Sequence, residues 1–290
     1  MILAARKLQN SMIKKFIPAR RSSSRKGDNG TVLVVGGSNI YHGAPILSSI
    51  AALRSGCDLV YTAIPKINSQ STRAVSPNLI IIPLADQKLT RGAVRKLIGQ
   101  IPKGLDSATI GMGLAVADTL ALKILIQSLV NSDVRISLDA SALVPDVLPI
   151  ISGKNCVVTP HAGEFKRLFG ESPPDSLKLR VSLVERLAEK HTICILLKGA
   201  TDVISNGKTT YLNPTKTPAM TVGGTGDVLS GLVAGILAKN RNPLESAAAA
   251  TFFNGLAGKL VQRRFGLHMT SMDLCDVIAQ VMKPYDKIKP

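Results

Sequence analysis

Short β-branched runs alternate along the chain with longer stretches whose apolar residues recur every three or four positions. Thr31-Val-Leu-Val-Val35 reads as a strand; it meets Gly36-Gly37-Ser38, and helical spacing follows over 44–55. Strand, glycine turn and helix make one half of a βαβ unit. Further strands are expected at 58–64, 79–84, 107–110, 134–138, 155–158 and 192–197, with helices at 90–100, 118–130, 164–169, 177–191, 243–263 and 271–283. Residues 202–205 and 209–212 read as a hairpin about Asn206-Gly207. Alternation of this kind predicts an α/β fold: a mainly parallel central sheet flanked by helices on both faces. No internal repeat or long linker divides it, so residues 1–290 are expected to form one domain with a basic N-terminal segment at 1–27.

That segment holds Arg6, Lys7, Lys14, Lys15, Arg20, Arg21, Arg25 and Lys26 and no acid before Asp28. Such a pattern also occurs in organelle transit peptides. Against that reading, Ile2, Leu3, Leu8, Met12, Ile13 and Phe16 fall roughly at helical spacing, as in a short helix docked on the body, and Ser22–Ser24 reads as a loop.

Composition narrows the class. The 290 residues are 45% hydrophobic, enough to bury a large core. No apolar run approaches the roughly 20 residues needed to cross a bilayer, so no membrane partner is expected. Cys57, Cys156, Cys194 and Cys275 stand far apart, with no paired or zinc-ligand spacing. Reduced, buried thiols in a cytoplasmic protein account for them. Lys+Arg 36 against Asp+Glu 19 gives a net charge of +17, which favours anionic partners. Aromatics are only 3% and Trp is absent, so the stacking platforms of single-strand nucleic-acid binders are poorly supplied.

Candidate chemistry gathers where strands end. Gly36-Gly37, Gly111–Gly113, Asp139, His161 with Glu164, Lys198-Gly199 and Gly223–Asp227 each follow a strand or loop at its C-terminal end, the edge where open α/β sheets bind ligands. Gly223-Gly-Thr-Gly-Asp227 runs into the apolar stretch 228–237, expected to be a helix starting at Asp227. Its glycine amides and helix N-terminus suit phosphate. A carboxylate at that place suits a proton acceptor beside a group under attack, or else a plain N-cap. The spacing of a dinucleotide fingerprint is missing at Gly36-Gly37.

Seven segments, in order, resemble the ATP- or ADP-dependent NAD(P)H-hydrate dehydratases of the ribokinase-like superfamily. They are Arg25-Lys-Gly-Asp-Asn-Gly30, Val34-Val-Gly-Gly-Ser38, Gly43-Ala-Pro45, Leu138-Asp-Ala-Ser-Ala-Leu143, Thr159-Pro-His-Ala-Gly-Glu164, Leu197-Lys-Gly-Ala200 and Gly223-Gly-Thr-Gly-Asp227. The likeness spans about residues 17–265 and is to the stand-alone dehydratase, without the epimerase domain some relatives carry.

The resemblance implies repair of hydrated NADH or NADPH. ATP or ADP, with Mg²⁺, would phosphorylate the ring hydroxyl, and loss of phosphate would restore the double bond. It implies that Asp227 is the base, and that Ala44, Gly113, His161 and Asp227 contact the hydrated dinucleotide. Lys198, Gly199, Ala200, Thr201, Asp202, Gly224, Thr225 and Gly226 would lie around the nucleotide. Asp139 and Glu164 would hold Mg²⁺ through water; alternatively Asp139 caps a strand end and Glu164 is a surface residue of a first helical turn. His161 alone would be a structural histidine; its motif makes it a ligand. A homo-oligomer is also implied. Two departures stand out: Gly111-Met-Gly-Leu-Ala115 where the family has Gly-Pro-Gly-Leu-Gly, and Cys57-Asp58 where it has a small residue and Gly. The rival enzyme is a vitamin-precursor or sugar kinase of the same superfamily; the rival of another class is a basic nucleic-acid-binding protein, which the intact Gly223–Asp227 loop argues against.

Overall fold

The computed structural model describes residues 5–214 and 217–290. In chain order the strands are β1 (Arg6–Lys7), β2 (Arg20–Arg21), β3 (Thr31–Val35), β4 (Leu59–Pro65), β5 (Ile80–Leu84), β6 (Ser107–Ile110), β7 (Arg135–Leu138), β8 (Cys156–Val158), β9 (Cys194–Leu197), β10 (Asp202–Ser205), β11 (Thr210–Asn213) and β12 (Ile288–Lys289). The α-helices are α1 (Asn10–Phe16), α2 (Gly43–Arg54), α3 (Ser69–Val75), α4 (Arg91–Ile98), α5 (Thr119–Asn131), α6 (Leu148–Ile151), α7 (Ala162–Phe169), α8 (Leu177–His191), α9 (Thr225–Asn240), α10 (Pro243–Phe265) and α11 (Ser271–Met282).

Ten strands form one sheet in the order β1-β11-β10-β9-β8-β7-β6-β3-β4-β5. Every neighbouring pair is parallel except the two made by β10, which runs antiparallel to β9 and β11. Successive side chains of a strand point to opposite faces, and both faces are covered. Leu33 and Val35 enter a core built with Leu125 of α5, Phe165 of α7 and Val184 of α8. Val32 and Val34 face the other way, onto Ala52 of α2 and Ala234 of α9.

On β6 the same alternation puts polar groups against α9. Ser107 Oγ donates to the Ala234 carbonyl at 2.7 Å, and the Thr109 and Ser230 hydroxyls meet at 2.6 Å. These bonds satisfy hydroxyls that would otherwise be buried at a cost. α9 is buried on almost every side, and α2 packs tightly against it.

Residues 5–16 differ from expectation. The structure gives β1, which pairs with β11, and only then a helix, α1, seating Ile13 and Phe16 on the core. Ile2 and Leu3 of the expected helix lie outside the described residues. Two short helices, α3 and α6, were not expected; at seven and four residues they carry too little periodicity to read.

Candidate active site

Six loops meet at the C-terminal edge of the sheet: those after β3, β6, β7, β8 and β9, and the one before α9. The last carries the chemistry. Gly224, at φ 95°, is the N-cap of α9, a left-handed conformation that costs glycine no steric penalty. The helix therefore starts at Thr225, and Asp227 is its third residue, neither the first nor a cap. Thr225 Oγ1 donates to the Met220 carbonyl at 3.0 Å and Ser271 Oγ to the Gly223 carbonyl at 2.6 Å, so the loop is held from both sides. Ser48 Oγ of α2 donates to the Asp227 carbonyl at 2.7 Å. The first amides of α9 have no partner within the helix and point at the site.

Beside this turn lies a buried ionic cluster. Lys198 Nζ sits 2.8 Å from Asp139 Oδ1 and 3.6 Å from Glu164 Oε2; the three side chains are 11%, 3% and 10% exposed. Thr159 Oγ1 also donates to Asp139 Oδ1, at 2.8 Å. The ammonium reaches the helix turn as well: a Cβ on Gly226 would lie 3.5 Å from Lys198 Nζ. Burial alone would lower the pKa of Lys198, but Asp139 and Glu164 outweigh it and hold the group above the usual lysine range. Asp227 is raised as well, up to about 7, by burial first and then by the Asp139 and Glu164 charges, with Lys198 opposing. A carboxyl so tuned changes protonation where cells operate, as a general base requires. A carboxyl in that role must be ionised to act. kcat/KM is therefore expected to rise with pH up to about 7 and to fall tenfold per unit below it, as a pH–rate profile would show.

In front of Asp227 opens a cleft of about 860 Å³, within the ordinary range for small-molecule sites. Ala44, Gly113 and Gly224 line it with Asp227, and Ser38, Tyr41 and Ser141 line it too. No role was expected for these three, although Ser38 and Ser141 fall within two of the seven family-like segments.

Two of the expected ligand residues also bond within the protein. His161 does not line this cleft: its imidazole caps α7, Nδ1 accepting from the amides of Gly163 at 3.0 Å and Glu164 at 3.3 Å. Glu164 returns the bond by accepting from the His161 amide at 2.9 Å, which makes a capping box and starts α7 at Ala162 instead of Glu164. Asp202 is 2% exposed; its carboxylate accepts from the Gly199 amide at 2.9 Å and from Thr251 Oγ1, so it braces the loop after β9. Gly199, Ala200 and Thr201 of that loop remain open to solvent.

Neither carboxylate expected near a metal is a simple surface or cap group. Asp139 makes no side-chain cap for the turn that follows it, and Glu164 is buried. Both sit on Lys198, and no group of three or more His, Cys, Asp or Glu among the described residues is arranged to ligate a metal directly. The pair fits the outer coordination of a hard cation through water better than direct ligation.

A sequence model described as NAD(P)H-hydrate dehydratase matches residues 32–280. The chain belongs to the NAD(P)H-hydrate dehydratase family. It is 69% identical to an ADP-dependent (S)-NAD(P)H-hydrate dehydratase of Cenarchaeum symbiosum, over 99% of this chain and 100% of that one. A protein of the same name from Nitrosopumilus maritimus is also 69% identical, with the same coverage. The fold is similar to that of the ADP/ATP-dependent NAD(P)H-hydrate dehydratase from Bacillus subtilis, crystallised with ATP and Mg²⁺: TM-score 0.85, 25% identity, 98% of this chain and 100% of that one.

The departures from the dehydratase pattern have local explanations. Asp58 accepts from the Gly27 and Asn29 amides at 2.9 and 3.0 Å and pairs with Arg20 at 3.2 Å, tying the segment before β3 to the sheet. Met112 is fully buried, and its carbonyl accepts from the Gly37 amide at 2.9 Å, so the glycine turn after β3 rests on it.

Proposed function

We propose that this dehydratase restores NADH or NADPH from the hydrated cofactor, with ADP or ATP as phosphoryl donor. The observation that carries the reading is one carboxyl, Asp227, raised to about 7 and standing at the start of α9 between the cleft and the Lys198 ammonium. Asp227 takes the proton of the ring hydroxyl as its oxygen bonds the terminal phosphorus, and the bond from that phosphorus to the nucleotide breaks. The ring C–O bond then breaks, phosphate leaves with the electron pair, and a proton lost from the neighbouring carbon leaves the double bond restored. The amides at the start of α9 and the Lys198 charge face the negative charge of the transferring group. Lys198 serves as a point charge. Asp139 and Glu164 would hold Mg²⁺ through water, where the ion would neutralise phosphate charge. The names of the two 69%-identical relatives favour ADP as donor.

Adding the protein to hydrated NADH with ADP and Mg²⁺ is expected to restore the near-ultraviolet absorbance of NADH. Release of a stable phosphorylated product without that absorbance would instead make the protein a small-molecule kinase. We also propose a homo-oligomer; Ile67, Val75 and Ile80, exposed beside the edge strand β5, offer it an apolar face.

A further inference from the structure

We propose that a second cavity, at the opposite end of the molecule, binds a small phosphate-bearing anion. The cavity measures about 460 Å³ and lies at the N-terminal edge of the sheet, beside the residues that lead into β3, β4 and β6. Six cationic side chains line it: Arg20, Arg54, Lys239, Arg241, Lys283 and Lys287. α9 separates it from the cleft: Asp227 stands in its first turn and Lys239 in its last, a 16-residue helix about 24 Å long at 1.5 Å per residue.

Cations are expected where helices end, and α2, α9 and α11 all end here. Lys239 does part of that work, donating to the Ser55 carbonyl after α2 at 2.7 Å. One bond uses one of three ammonium donors. Arg54, Arg241 and Lys283 make no ion pair and no side-chain hydrogen bond among the described residues. The Arg241 charge is felt at the buried Arg135, whose pKa is lowered by burial first and then by Arg241.

The lining acids do not cancel this charge. Asp106 accepts from the Thr31 amide at 2.9 Å and pairs with Arg135 at 3.9 Å. Asp28 accepts from the Arg25 amide at 2.8 Å. Asp58 pairs with Arg20 at 3.2 Å, so three lining acids, Asp28, Asp106 and Asp286, together with Asp58 stand against six cations and leave an excess of positive charge. The walls are preassembled: β2 and β12 pair, the Arg20 amide donates to the Lys287 carbonyl at 2.8 Å, and the Arg20 guanidinium donates to the Gly56 carbonyl at 2.8 Å. A concave site of this size, with a partly buried ammonium at its floor and arginines at its rim, suits a phosphorylated metabolite. A nucleic-acid backbone would need a long open track.

The test is calorimetric titration with pyrophosphate. Charge reversal at the exposed rim, Arg54→Glu with Lys283→Glu, is expected to remove one equivalent of binding from the wild-type total. Lys239→Met is expected to weaken that same equivalent at least tenfold. Thermal midpoints within a few degrees of the wild type would show that the rim variant is folded. A folded rim variant that binds as many equivalents as the wild type, with unchanged affinity, would overturn the proposal, as would a wild type that binds no pyrophosphate outside the cleft when Lys198→Met abolishes the heat.

Discussion

Asp227→Asn is expected to lower kcat by about 10²–10⁴-fold, the range for losing a general base, and at the same time to make the ligand-free protein harder to melt above pH 7. The two effects share one cause. Burial and the Asp139 and Glu164 charges raise the Asp227 carboxyl from 3.8 to about 7. Between those values the folded protein holds a proton that the unfolded chain has released, so stability falls as pH climbs from about 4 to about 7. Above pH 7 the ionised group costs the folded state on the order of 4 kcal/mol at most, taking 1.36 kcal/mol per pH unit. Asparagine keeps the shape and never ionises, so the variant should shed that decline. Melting curves at pH 4 and pH 8 measure it: the midpoints of variant and wild type should diverge at pH 8 and converge at pH 4. Nucleotide binding should persist, because the amides of α9 and Lys198 are untouched. A variant that turned over at the wild-type rate would remove Asp227 from the reaction, and one that melted below the wild type at pH 8 would refute its strained ionisation.

The fold was legible wherever a long segment had one dominant period. β3, β6 and α8 fall at the expected residues, and α9 starts two residues before Asp227 and runs three past the expected apolar stretch, to Asn240. What could not be read was local bonding. The Thr-Pro-His-x-Gly-Glu run gives no sign that the His161 imidazole also closes a capping box with Glu164, a use that Ser or Thr more often serves. Nor could the sequence show that the Asp202 carboxylate braces its loop through Gly199 and Thr251, a residue 49 positions away. Lys198, Asp139 and Glu164 were each singled out, but their union as one buried cluster depends on β7, β8 and β9 lying side by side, which is tertiary information. The far cavity was invisible for the same reason: its walls come from residues 17–29, 54–56 and 279–288, which no single stretch of sequence connects.

Gly231→Ala is the small change expected to do the most damage away from the chemistry. A Cβ at this position in α9 would lie 2.0 Å from the Ser48 carbonyl oxygen and 2.7 Å from the Ser48 carbonyl carbon and Cα. All three are backbone atoms of α2, so no side-chain rotation relieves the overlap and the helices must move apart. Alanine's higher helix propensity returns about 1 kcal/mol, while forcing extra volume into a packed interior costs roughly 1–3 kcal/mol or more, and here an entire helix crossing is displaced. A net loss on the order of 2 kcal/mol should lower the thermal midpoint by about 4–8 °C at the 2–4 °C per kcal/mol of larger domains. Gly92→Ala in α4 is the control, since its nearest neighbour would be Thr90 Oγ1 at 3.9 Å, and it should melt at or slightly above the wild type. The crossing also sets the site. α2 brings Ala44 to the cleft and Ser48 to the Asp227 carbonyl, while α9 brings Asp227 itself. Separating the helices should therefore reduce turnover even well below the midpoint, where Gly231→Ala is still folded. A Gly231→Ala protein that melted with the wild type would show that α2 and α9 do not approach as closely as the Ser48 contact requires.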